Sequence, residues 1–238
     1  MAIWTQRTRV SWKQSVSYFE HRYEVLRTLE DAGLLRRFQS KGDRISMRLG
    51  GAHQIMSFGP GGFSMADLKP GLDESVTRAA AEVVYSALKP ELVGSPSFGI
   101  QSLVPIDMPY DDARQTAGGA LLPDLPSEVR DFALLLDGAS EQPPGKYRLE
   151  VGILEAAETP ERLSRAVGRI TTRDDETPPF LWQPSELPDI ALFCDIEFEA
   201  EPPQGNIVEN LFATLASVRD ASDELVSSFM DRLSLGEQ

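Results

Sequence analysis

"IALFCDIEFEA", residues 190–200, alternates so cleanly that it sets the architecture expected of the whole chain. Ile190, Leu192, Cys194, Ile196 and Phe198 fall on one side of an extended backbone, and Asp195, Glu197 and Glu199 fall on the other, because successive side chains of a strand point to opposite faces. One apolar and one charged side describe a sheet buried on a single face, whose apolar side must be covered by helices. A helix follows directly. Asn206, with Glu209 three residues later, makes a capping-box-like start. Val208, Leu211, Leu215, Val218, Leu225 and Phe229 then recur at helical spacing, with Ser222 breaking the stripe, and the helix can run nearly to Leu233. The stripe suits either a coiled-coil seam or a helix lying on its own sheet.

Working outward, the same vocabulary recurs. "KYRLEVGILEA" (146–156) reads as a long strand, "DFALLLDG" (131–138) as a short buried one, and "TPERLSRAVG" (159–168) as a helix with Thr159 as N-cap and Pro160 at its first position. "TTRDDETPPFLWQPSELPD" (171–189) reads as an extended surface connection. Earlier, Val16, Phe19, Tyr23, Leu26 and Leu29 are spaced for a helix, which "LLRRF" (34–38) continues or restarts after Gly33. "RISMRLG" (44–50) alternates as a half-buried strand, and "HQIMSFGPGGFSMADL" (53–68) as a hairpin around Gly59–Gly62. Residues 73–89 form a helix stopped by Pro90, "SFGIQSLVPIDM" (97–108) a returning strand, and "PYDDARQTAG" (109–118) a short helical turn. The expected class is α+β: a mainly antiparallel sheet with helices on one face and a long C-terminal helix. The stretches "FGIQSLVPIDMPYDDARQTAGG" and "YRLEVGILEAAETPERLSRAVG" lie side by side as strand, acidic turn, helical turn and glycine. They suggest two similar halves, residues 1–122 and 123–238, within one compact unit or two.

The hairpin "RISMRLGGAHQIMSFGPGGFSM", the helix over 73–89, the strand over 97–107, and "IALFCDIEFEA" followed by "LFATLASVRDASDELVSSFMDRL" with its late Phe229 together carry a resemblance. In these parts the chain resembles a sporadically distributed bacterial protein family of unknown function. The resemblance implies a soluble bacterial protein with two similar halves, and transfers no functional residue.

Composition bounds the function. The 238 residues are 41% hydrophobic and 25% charged, ordinary for a globular chain with a core of its own. A single cysteine rules out an intramolecular disulfide and suits a reducing cytoplasm. The first residues have no signal-peptide character and no apolar run approaches bilayer length, so a cytoplasmic location and no membrane partner are expected. The net charge of −14 is uneven: residues 1–50 hold ten Lys/Arg against five Asp/Glu, and the rest hold 13 against 32. So acidic a body repels phosphate backbones, and no nucleic-acid partner is expected.

Few residues invite chemistry. Asp195, Glu197 and Glu199 offer the oxygen ligands that a hard cation takes, but the same acids are what the wet side of a one-sided sheet requires. "GPGG" lacks the following Lys-Ser/Thr of a phosphate loop and reads as a hairpin turn. His21 and His53 share no motif, and Cys194 sits on the apolar side of its strand. No cofactor is expected. Trp4, Arg7, Arg9 and Trp12 combine the aromatic and arginine character of interface hot spots. The reading is therefore a non-enzymatic protein acting through a protein partner or self-association, with Trp4, Arg7, Arg9 and Trp12 as contact residues. A metal-dependent enzyme or metal-binding protein built on Asp195, Glu197 and Glu199 is the first alternative, and an acidic nucleic-acid mimic the second.

Overall fold

A computed structural model describes residues 2–50, 53–68, 74–121, 133–168 and 186–235. Its strands are β1 (Ala2–Ser11), β2 (Leu35–Lys41), β3 (Arg44–Leu49), β4 (Gln54–Gly59), β5 (Gly62–Asp67), β6 (Ser97–Pro105), β7 (Ala133–Glu141), β8 (Pro144–Glu155) and β9 (Ile190–Ala200). Its helices are α1 (Ser17–Asp31), α2 (Glu74–Leu88), α3 (Tyr110–Leu121), α4 (Thr159–Gly168) and α5 (Ile207–Leu235). Among the described residues, all nine strands join one antiparallel sheet in the order β2-β3-β4-β5-β1-β6-β9-β8-β7. The α+β class and the long last helix are as the sequence indicates, and the reading of 171–189 falls mostly outside the described residues. No described helix is long and apolar enough to cross a membrane.

The elements follow from local chemistry. The side chain of Asn206 accepts the amide of Glu209 at the start of α5, at 3.3 Å. The segment "LLRRF" does not continue α1. Gly33 adopts φ +68°, and the amide of Leu34 returns to the carbonyl of Leu29 at 2.9 Å. That closure ends the helix, and the chain leaves as β2. At the β4–β5 turn Gly62 is required sterically, because a Cβ there would collide with the carbonyl oxygen of Val10 in β1.

Four helices lie on one face. α1, α2 and the first part of α5 bury Val25, Leu29, Val84, Leu88, Leu211 and Leu215 against Phe58 and Phe98. α3 and the later part of α5 cover Leu149, Val151, Leu192, Cys194 and Ile196. The stripe on α5 is thus spent on its own sheet rather than on a coiled-coil partner. Of the described helices only α4 crosses the opposite face, where Leu163 packs with Ile55, Ala66, Leu103 and Phe193.

The connectivity repeats. β1 leads to α1, a meander β2–β5 whose last strand pairs with β1, then α2; β6 leads to α3, three antiparallel strands β7–β9, with α4 inserted between β8 and β9, whose last strand pairs with β6, then α5. The opening strands β1 and β6 pair antiparallel at the centre of the sheet, which relates the units by a two-fold rotation in topology. The repeat begins anew between Leu88 and Ser97 rather than at residue 122, and β6–α3 matches β1–α1 rather than β8–α4.

Candidate functional site

The face opposite the main helix layer carries the charged chemistry. Strand register places two rows of side chains across it. One runs Arg37–Arg48–Ile55–Ala66–Arg7–Gly99–Glu197–Arg148–Asp137 from β2 to β7. The next runs Gln39–Ser46–Ser57–Ser64–Arg9–Ser97–Glu199–Lys146–Ala139. On the β2–β5 side neither row has an acid: the first holds Arg37 and Arg48 and then Ile55 and Ala66, which are buried under α4, and the second is small and polar up to Arg9. On the β9–β7 side acids and bases alternate.

Arg7 ties the two sides together. Its guanidinium passes over Gly99 to donate to Glu197 Oε1 at 2.6 Å, and lies 3.5 Å from Asp195 Oδ1. A Cβ on Gly99 would fall 2.7 Å from the Cγ and Cζ of Arg7, so only glycine leaves the crossing open. Gln101 donates to Asp195 Oδ2 at 2.9 Å and accepts from the Thr5 hydroxyl at 2.9 Å. Arg148 holds Asp137 at 2.9 Å, and Arg162 of α4 holds Glu150 at 2.7 Å.

Arg44 lies flat over the serine row. It donates to Ser57 Oγ at 3.0 and 2.7 Å and to Ser64 Oγ at 2.8 Å, and the two hydroxyls lie 2.9 Å apart. Burial, followed by the charge of Arg9, pulls its pKa below the usual arginine value, although a guanidinium keeps its charge in proteins. Arg9, Arg37 and Arg48 make no ion pair with any described residue. Beside Arg7 and Arg9, and away from Arg37, Arg44 and Arg48, opens a cleft of about 410 Å³, lined also by Ser64, Ser97, Lys146, Arg148, Glu197 and Glu199 among others.

The residues singled out from sequence meet different fates. Arg9 is exposed on the cleft. Arg7 lines it with a side chain only 13% exposed. Trp4 belongs to β1, where the pairing with β6 slips between Ile3 and Thr5. Trp12 is 6% exposed: its indole donates to the Pro60 carbonyl at 2.9 Å and tilts against Phe63 at 5.7 Å, anchoring the β4–β5 turn to the core. Asp195, Glu197 and Glu199 do share one face. With a guanidinium between the first two, a cation there would have to displace Arg7, and no three His, Cys, Asp or Glu groups converge among the described residues. Cys194 is 1% exposed, and burial pushes its thiol up to about 12, so it is a core residue rather than a nucleophile. His21 pairs with Glu24 at 2.8 Å on the exposed side of α1.

A polar cluster on the helix face was not visible in the sequence. The Gln6 amide donates to Asp67 Oδ2 at 3.0 Å and to Glu74 Oε1 at 3.1 Å, while Arg219 of α5 donates to Gln6 Oε1 at 2.9 Å and pairs with Glu74. Asp67 is 5% exposed, and burial raises its pKa above the usual aspartate range. Arg219 lies 145 or more positions from the other three, and Gln6 lies 61 positions before Asp67, so no local pattern links them. No protein-family model matches the chain, and no curated protein sequence matches it.

Proposed function

We propose that the chain is a non-catalytic binding protein that receives an acidic surface of a protein partner on the arginine-bearing part of the open sheet face. One observation carries the reading: Arg9, Arg37 and Arg48 stand on that face without carboxylate partners among the described residues, in a chain whose net charge is −14. Arg37 and Arg48 face each other across β2 and β3, and Arg9 lies three strands away on β1; without a carboxylate partner among the described residues they are the cations left for a partner, and arginine forks recognise carboxylates in bidentate fashion. The cationic rows carry serine, glutamine and alanine but no aromatic residue, so they lack the stacking platform of single-strand nucleic-acid binders. The candidate acids of β9 support binding rather than catalysis, since Asp195 and Glu197 are occupied in holding Arg7.

The test is titration of the purified chain with fluorescent poly-glutamate and, separately, with duplex DNA, over a range of salt. The wild type is expected to bind poly-glutamate with affinity falling as salt rises, and Arg9→Ser with Arg48→Ser to lose that binding while unfolding normally. Absence of poly-glutamate binding, or binding unchanged in the double variant, overturns the proposal. Preference for DNA replaces the protein partner with a nucleic acid.

A further inference from the structure

The two edges of the sheet are built differently. β2 carries Arg36, Arg37 and Lys41, and its pairing with β3 slips between Leu35 and Arg37. Charge and a bulge are the usual devices that stop an edge strand from recruiting another chain. β7 has neither. Its nine residues, "ALLLDGASE", contain no lysine, arginine or proline and pair with β8 without a slip. Leu135 is 57% exposed and Leu136 39% exposed. Among the described residues no strand pairs with its outer side.

The repeat explains why this edge is bare. In the first unit four strands form the meander, in the second only three. Counting back from the strands that close each unit, β5 and β9, places β7 where β3 stands. The outer side of β3 is covered by β2. β7 is therefore an inner strand by position that has no outer neighbour among the described residues.

We propose that a second copy of the chain supplies that neighbour: β7 pairs antiparallel with the partner's β7 about a two-fold axis at Leu135. In this register Leu135 faces the partner's Leu135, Leu134 faces the partner's Leu136, and Ala133 faces the partner's Asp137. The leucines, which show on both faces of the strand, then meet leucines. Asp137, held by Arg148 at 2.9 Å, meets alanine. A register centred on Asp137 would set two carboxylates opposite each other, which destabilises a strand pair. Self-pairing of one edge is isologous, so the assembly closes at two copies and leaves β2 as its only kind of edge. The proposal is independent of the arginine face.

Sedimentation equilibrium of the full chain tests it, together with two variants. The wild type is expected to dimerise with rising concentration. Leu135→Lys is expected to be monomeric with the unfolding midpoint of the dilute, monomeric wild type, because position 135 is exposed and lies opposite Glu150 in β8. Leu135→Cys is expected to oxidise to a reducible covalent dimer, because directly opposed residues of antiparallel strands fall within disulfide range. Ala139→Cys, outside the overlap, is expected not to, and the native Cys194 is buried. A wild type that stays monomeric at every concentration overturns the proposal. So does a dimer that persists in Leu135→Lys, or one that leaves Leu135→Cys uncrosslinked, since either dimer uses another surface.

Discussion

Replacing Gly99 with alanine tests whether the crossing of Arg7 over β6 holds the two sides of the open face together. In most strands Gly→Ala stabilises by about 0.4–1 kcal/mol, through loss of unfolded-state freedom. Here the new methyl would fall 2.7 Å from the Cγ and Cζ of Arg7, and the guanidinium must lift away from Glu197 and Asp195. A hydrogen bond to a charged group contributes about 1.5–3 kcal/mol net. Glu197 is 40% exposed, whereas Asp195 is 17% exposed and Arg7 13%. Solvent screening therefore discounts the Glu197 contact toward the roughly 1 kcal/mol of a surface pair, and the Asp195 contact less so. After subtracting the entropic gain, Gly99→Ala should destabilise by about 1–2 kcal/mol. In thermal unfolding each kcal/mol should lower the midpoint by about 2–4 °C for a chain of this size. Urea unfolding in wild-type and Arg7→Ala backgrounds isolates the mechanism. Without Arg7 the clash is gone, and Gly99→Ala should become neutral or stabilising. An equal cost in both backgrounds, within about 0.5 kcal/mol, would refute the crossing as the reason for glycine.

Three further outcomes are expected. Asp67 binds its proton more tightly folded than unfolded, so stability falls as pH rises from the ordinary aspartate range through the raised value, and is flat above it. Asp67→Asn should remove that slope, and urea midpoints of both proteins across the acid range would expose a slope that survives. Trp12→Ala should cost about 3–5 kcal/mol, as loss of a buried aromatic does, and denaturant midpoints check it directly. Cys194, buried with its thiol pushed up to about 12, should resist a thiol-reactive dye until urea unfolds the chain, so prompt labelling of the native protein would contradict its placement.

How much was legible depended on periodicity. β9 announced itself over residues 190–200 because apolar and acidic positions alternate without exception from Cys194 to Glu199, and α4 because Thr159 and Pro160 mark its start. β1, the central strand of the sheet, gave no such signal. Its buried positions include Thr5, Gln6 and Thr8, and Thr5 and Gln6, on opposite faces, find their partners in Gln101 and Asp67, far along the chain. The basic N-terminal segment thus gave only its charge and no strand signal, although β1 stands at the centre of the sheet. β7 misled in the opposite way. A run of three leucines reads as a buried strand, and only the topology shows it to be an edge. The cationic surface was likewise invisible, because Arg9, Arg37, Arg44 and Arg48 come from three strands that only the register aligns.

That register makes the binding proposal separable from a structural role. Arg37 and Arg48 stand directly opposite each other on β2 and β3, and like charges so placed destabilise a strand pair, by an amount comparable to the roughly 0.2–1 kcal/mol that favourable pairs contribute. A purely structural face would not keep such a pair when one acid in either position would relieve it. Arg48→Glu should do so, placing a carboxylate against Arg37 and raising the urea midpoint by a few tenths of a kcal/mol in stability. The same change should weaken poly-glutamate binding, because it removes one cation and adds an anion on the proposed contact surface. Opposite signs for stability and binding are the signature of residues retained for a partner. If Arg48→Glu stabilised the chain and left binding intact, the arginine row would be a tolerated liability of the sheet, and the contact surface would have to lie elsewhere.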